Sequence, residues 1–170
     1  GPIDAVAARG GFVPRPPQKL QSGAYIIAEE SDGAIVVDEA LVNALLEHPE
    51  KDHASNLGIP AAAALARTLH APAYTFDPVV VDEFAPEAEI SGLKGIVRQS
   101  TSHALSVRAA ARKAAQNIGR PLEETTLVVA HLGGGVTVTA VCNGRMRDSN
   151  ISLLGGGPFT PQRAGHLPTG

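Results

Sequence analysis

A chain of 170 residues, 44% apolar and 18% charged, can bury a real core and has room for one domain or slightly more. Its net charge of -3 and 4% aromatic content exclude a general nucleic-acid surface. No run approaches the ~20 apolar residues that span a bilayer, and the single cysteine, Cys142, rules out an internal disulfide and fits a reducing, cytoplasmic compartment.

Gly1-Pro-Ile-Asp-Ala-Val6 reads as the end of a buried strand, with Asp4–Ala7 strand-like and running into Arg9-Gly-Gly11. A proline-broken loop follows. Tyr25–Glu29 and Ala34–Val37 read as short strands joined at Asp32-Gly33, and Asp38–Leu46 as a helix capped by Asp38 and ended before Pro49. Ser55 or Asn56 is expected to cap an alanine-rich helix through His70, interrupted early by Gly58 and Pro60. Ala73–Phe76 is a strand that delivers Asp77-Pro78. The acidic pair Asp82-Glu83 reads as a solvated helix start. Ser102 is a good N-cap for a helix through Ile118, closed by Gly119 and Pro121. Leu127–His131 then reads as a buried strand. Strands separated by helices, with a meander at the end, indicate an α/β layered fold.

The segment Leu127–Arg147 carries the most information. Two β-rich runs flank Gly133-Gly134-Gly135, and the second reaches Asn143-Gly144, the strongest short hairpin signal, before a polar third strand. A glycine bend lets backbone approach a ligand closely and offers N–H groups to an anion. His131 stands just before it, so a phosphoryl group is the expected guest. The run lacks the Gly-Lys-Ser/Thr ending of one nucleotide loop and the following helix of the dinucleotide fingerprint. A tight hairpin whose glycines merely relieve crowding remains the alternative. The other histidines, His48, His70, His103 and His166, are not spaced as a metal site. Ser102-His103 reads as a helix cap rather than a nucleophile with its base.

Arg9-Gly-Gly, His53-Ala-Ser-Asn-Leu-Gly58, Phe76-Asp-Pro-Val-Val-Val-Asp-Glu83, Ile90-Ser-Gly-Leu93 and His103-Ala-Leu105 occur in one order. Ala130-His-Leu-Gly-Gly-Gly135 and Gly157-Pro-Phe-Thr-Pro-Gln-Arg163 follow. This series resembles the butyrate kinases, within the acetate kinase group of short-chain carboxylate kinases, and covers essentially the whole chain. The resemblance implies an actin/Hsp70/hexokinase-like (ribonuclease H-like) layered fold, here incomplete at both ends. Residues 1–122 would form the remainder of the N-terminal lobe and connecting helices, and 123–170 the start of the second lobe with the phosphate-facing hairpin. It also implies ATP-dependent, reversible phosphorylation of butyrate or a branched short-chain acid, with ATP and Mg2+ as cofactors. A small carboxylate and a nucleotide are the expected partners, with no nucleic acid or membrane, and a homo-oligomer is expected.

By resemblance, Arg9 corresponds to the substrate-side arginine and Arg163 to a second arginine. His131 corresponds to the histidine at the transferring phosphoryl group, and Gly133, Gly134 and Gly135 to the phosphate-facing loop. Asp77 matches the acid assigned to catalysis or metal positioning, and His53 a further substrate-site histidine. All are expected to converge on one cleft. Read singly, Arg9, His53 and Arg163 are more often solvated surface or loop residues than functional ones, and Asp77 more often a turn residue before proline. The family pattern is departed from at Leu154, Gly156, Ala164 and His166, where two acids and a hydroxyl are replaced. A non-catalytic member or fragment acting in ligand binding or subunit association is the alternative function, and a non-kinase acyl-phosphate enzyme a third. The 170 residues alone are expected to be inactive.

Overall fold

The computed structural model describes residues 1–47, 53–151 and 157–167. Two compact units emerge: residues 1–18 with 22–80, and residues 19–21 with 81–170.

The first unit is a four-stranded mixed sheet in the order β1-β4-β2-β3, where β1 is Val6–Arg9, β2 Ala24–Ser31, β3 Ala34–Val37 and β4 Ala73–Phe76. Strands β1 and β4 run parallel, and β2 pairs antiparallel with both β4 and β3. The β2–β3 hairpin turns at Asp32-Gly33, whose positive φ values of 51° and 77° match the twist of the flanking strands. Helix α1 (Glu39–Leu46) starts where Asp38 accepts the Leu41 N–H at 2.9 Å, as the sequence predicts. Helix α2 (Gly58–Leu69) packs on β1, β2 and β4 through Ile59, Ala62, Ala63 and Ala66, opposite Ile27, Ala28 and Ala73. Small alanines let helix and sheet approach closely. Gly58 and Pro60 do not interrupt this helix; both lie in its first turn, where proline's missing N–H leaves no bond unmade. The residue before the α2 segment that caps is neither Ser55 nor Asn56. A 3-10 turn at Ala54–Leu57 precedes the helix, and its N-cap is His53.

The second unit is an antiparallel meander of β5 (Thr126–Leu132), β6 (Val136–Cys142) and β7 (Arg145–Ser149). The Asn143-Gly144 turn has φ of 50° and 74°, the two left-handed residues that such a hairpin requires. Helix α3 (Ala104–Asn117) lays Ala104, Val107, Ala111 and Ala115 against Val141 and Met146, with Val81 and Leu122 completing the core. Strand β5 is not buried on both faces. It alternates, with Val128 and Leu132 77% and 74% exposed, while Leu127 and Val129 pack on the core. The compact units divide at 80/81, and α3 shares its core with the β5–β7 sheet.

Two further expectations are corrected. Asp82 and Glu83 are buried, and they start no helix. Asp82 accepts the N–H groups of Phe84 (3.2 Å) and Ser100 (3.0 Å), and Glu83 accepts that of Met146 (2.9 Å). Charge-assisted bonds to backbone donors offset the cost of burying the two carboxylates. Ser102 does not cap α3. The cap position is His103, and the buried Ser102 hydroxyl has no hydrogen-bond partner.

Candidate active site

In the first unit, Arg9 and Asp77 leave the same edge of the sheet. Arg9 is the last residue of β1 and stands in register with Phe76, the last residue of the parallel strand β4. The carboxyl ends of parallel strands are where open α/β sheets gather ligand-binding residues. Asp77 follows at once, with a left-handed φ of 41° that aspartate tolerates better than most side chains. It is 5% exposed, and its Oδ1 accepts the Ser22 hydroxyl at 2.6 Å and the Gly23 N–H at 2.8 Å. The carboxylate therefore does what a turn residue does, fastening the 22–23 segment to the end of β4.

The turn after Arg9 needs two glycines for space. A β-carbon on Gly10 would stand 2.6 Å from the Pro78 Cα, and one on Gly11 2.8 Å from the Asn56 Cα. Asn56 also accepts the Phe12 N–H at 2.8 Å, and the Phe12 ring meets the His53 imidazole edge-on at 5.7 Å. His53 is exposed, its Nδ1 accepting the Ser55 N–H at 3.2 Å while lying 2.8 Å from the Ser55 hydroxyl. Arg9 is exposed as well. The turn that follows Arg9 thus touches both the His53–Gly58 motif and the Asp77-Pro78 step, so these three motifs share one edge of the first unit.

In the second unit the site is built around the β5–β6 turn. Gly133 N–H donates to the Gly135 carbonyl at 3.1 Å. None of the three glycines has a left-handed φ, so their role is space rather than conformation. A β-carbon on Gly133 would stand 3.3 Å from His131 Nε2. One on Gly134 would meet the Gln162 amide, and one on Gly135 would land on the Arg163 guanidinium. The loop holding Gln162 and Arg163 is tied down by Thr160, which donates its hydroxyl to the Gly134 carbonyl at 2.7 Å. Thr160 and Arg163 also exchange backbone hydrogen bonds at 2.9 and 3.3 Å. Arg163 Nη1 is buried without a hydrogen-bond partner. An imidazole nitrogen beside Gly133 and an unsatisfied guanidinium N–H beside Gly135 therefore flank one glycine turn. An anion there would answer a donor that is costly to leave unmade.

Sequence reasoning missed two residues of this assembly. His103 stacks on His131 with ring centroids 4.1 Å apart and planes 15° from parallel, and its Nδ1 is 2.7 Å from the Thr137 hydroxyl. Thr137 was findable, since it lies symmetrically opposite His131 across the glycine turn. His103 stands in one of the ordered motifs, but nothing in the spacing links the head of α3 to β5, so its place beside His131 was not legible. Of the departures, Leu154 and Gly156 lie outside the described residues, as does His48. Ala164 is exposed. His166 is exposed and latches the loop, its Nδ1 accepting the Gly157 N–H at 3.3 Å and its own N–H donating to the Gly157 carbonyl at 3.2 Å. Among the described residues no three His, Cys, Asp or Glu side chains group to hold a metal ion, and no helix is long and apolar enough to cross a membrane.

Residues 80–161 match the Acetokinase family. A probable butyrate kinase of Phocaeicola vulgatus is 46% identical over 166 residues, which cover 98% of this chain and 43% of that protein. A probable butyrate kinase of Enterococcus faecalis is 43% identical over 98% of this chain and 42% of its own length. The chain thus spans a little over two fifths of these curated relatives. The crystal structure of Porphyromonas gingivalis acetate kinase shares the fold, with a TM-score of 0.70 over 98% of this chain and 41% of that one, at 18% identity. This likeness bears out the α/β layered fold expected from the sequence.

Proposed function

We propose that this chain, which carries acetokinase-family sequence over residues 80–161 and resembles butyrate kinases along 98% of its length, serves the ATP-dependent phosphorylation of a short-chain carboxylate. Butyrate or a branched short acid is the acceptor and an acyl phosphate the product. One observation carries the reading: His131 Nε2 and the unpartnered Arg163 Nη1 border the Gly133–Gly135 turn, a donor set that suits a phosphoryl group.

The chemistry asks little of the protein beyond placement and charge. A carboxylate oxygen attacks the terminal phosphorus of ATP. The new C–O–P linkage forms as the bond to the bridging oxygen breaks, and ADP leaves with that electron pair. The nucleophile is already an anion, so no general base is needed, and catalysis reduces to in-line positioning and electrostatic stabilisation. His131 and Arg163 donate hydrogen bonds to the equatorial oxygens of the phosphoryl group as charge spreads over them. Arg9, on its own unit, is assigned to the substrate carboxylate, with His53 beside its turn completing the acceptor side. Asp77 holds the Ser22-Gly23 segment at the end of β4. A nucleotide-bound magnesium ion needs only one or two protein carboxylates. Asp77 would be the residue to hold it, and the ion would supply neutralisation of phosphate charge.

The test is an acyl-hydroxamate assay with ATP, magnesium and a series of C2 to C5 acids. The natural protein at the length of its relatives is run beside the 170-residue chain. Turnover peaking at butyrate or a branched acid in the longer protein, and absent from the 170 residues alone, is expected. No hydroxamate from any acid would overturn the assignment.

A further inference from the structure

We infer that His103 is a positioning residue for His131, holding that ring in the plane from which Nε2 faces the glycine turn. The inference rests on the reading of His131 as a phosphoryl contact. The two imidazoles lie face to face, 4.1 Å between centroids and 15° from parallel. Such a pair removes one whole face of the His131 ring from free rotation. An aromatic χ2 torsion is otherwise broad and roughly two-fold, so without a neighbour the ring samples a range of planes.

His103 can serve as a wall because its own ring is fixed from two sides. Its Nδ1 lies 2.7 Å from Thr137 Oγ1, and its backbone N–H points at the same oxygen from 3.4 Å. Its carbonyl accepts the Val107 N–H at 2.9 Å, so the residue is also the first member of the α3 ladder. Thr137 is fully buried and stands in register with His131 across the β5–β6 pair. One hydroxyl on β6 therefore anchors the head of α3 beside the β5 residue whose ring it orients. The arrangement converts the rigidity of a helix start and a sheet into a defined ring plane next to a bend that has no side chains of its own. His103 touches neither substrate nor nucleotide in this account. It acts through His131.

The experiment uses the natural full-length protein and four variants: His103→Ala, His103→Phe, Thr137→Val and Thr137→Ser. Removing the wall is expected to lower kcat about 10- to 100-fold in His103→Ala, the scale for misplacing a reacting group by about an ångström. KM for butyrate and ATP should stay within about twofold, since ground-state binding is not the interaction removed. His103→Phe keeps a flat face and should recover most of the turnover. Thr137→Ser should match the parent, and Thr137→Val should follow His103→Ala. In parallel, proton NMR of the His131 ring reports the stack directly. Upfield ring-current shifts are expected in the parent and in His103→Phe, and lost in His103→Ala. An unchanged kcat in folded His103→Ala overturns the inference, as does a loss that tracks the unfolding midpoint and is not recovered by Phe. If the parent protein phosphorylates no acid, the reading of His131 fails separately. The NMR arm then decides alone, and ring shifts that survive His103→Ala refute the positioning role.

Discussion

The guanidinium of Arg163 occupies the place where a β-carbon on Gly135 would stand. The glycine is therefore a seat for the arginine, and the residue pair links a hairpin turn to a loop 28 positions later in the chain. Gly135→Ala should expel Arg163 while leaving the antiparallel ladder of β5 and β6 intact. Turnover in the full-length protein should drop by about 10²-fold, the effect of misplacing a transition-state contact. Gly133→Ala, whose added methyl meets His131 Nε2 at 3.3 Å, should cost less. Steady-state kinetics beside far-UV circular dichroism checks both, and Gly135→Ala turning over like the parent would detach Arg163 from the reaction.

Thr160 fastens that same loop through its hydroxyl on the Gly134 carbonyl. Thr160→Val should lower stability by about 1 kcal/mol, the net worth of one neutral hydrogen bond. Turnover should fall further than that loss explains, because Arg163 loses its anchor. Thr160→Ser retains the hydroxyl and should behave as the parent. Urea midpoints and kcat measured on the same preparations separate the two effects.

Removing the His131 imidazole is a direct test of its proposed contact. His131→Ala should reduce kcat by roughly 10²–10³, as for the loss of one preorganised donor to a transition state. The acyl-hydroxamate assay reads it, and an undiminished rate would return His131 to the status of a half-buried strand residue.

Asp77 fastens a turn and is proposed to serve the reaction as well, and substitutions can part the two roles. Asp77→Ala leaves the Ser22 hydroxyl and Gly23 N–H without their acceptor, at an expected cost of about 1–3 kcal/mol. Asp77→Asn keeps an acceptor oxygen in place and should cost less stability, yet it removes the charge. If the acid serves the reaction, the Asn variant loses far more turnover than its thermal midpoint implies. Equal losses in Asp77→Asn and Ser22→Ala would leave only the turn.

Glu83 predicts an effect on stability without a part in the chemistry. Its carboxylate is buried on the Met146 N–H at the start of β7. Glu83→Ala should destabilise the second unit by about 1–3 kcal/mol, leaving a buried donor unmade. Chemical denaturation of the chain measures it.

Much of the local structure was legible because short-range chemistry dictates it. Asp32-Gly33 and Asn143-Gly144 announce hairpins through their left-handed preference, and Asp38 announces α1 through its cap. The glycine turn was found from its flanking β-runs. Its reason was not, since spacing alone cannot distinguish a glycine needed for φ from one needed for room. The misread elements share a cause. Asp82 and Glu83 look like a solvated acidic pair, and only the backbone donors of Phe84, Ser100 and Met146 make their burial tolerable. Ser102 looks like a cap, but the tie between His103 and Thr137 moves the helix start by one residue.

The sequence by itself determined where this protein turns, which runs pair as strands, and which family motifs stand in order. These follow from torsional preference, period and residue chemistry within a few positions. The tertiary structure alone decided that Arg163 sits on Gly135, that His103 backs His131, and that the turn after Arg9 lies between Pro78 and Asn56. Such contacts join residues tens of positions apart. They exist only once helix and sheet have packed, because packing, rather than any local preference, chooses which side chains share a space.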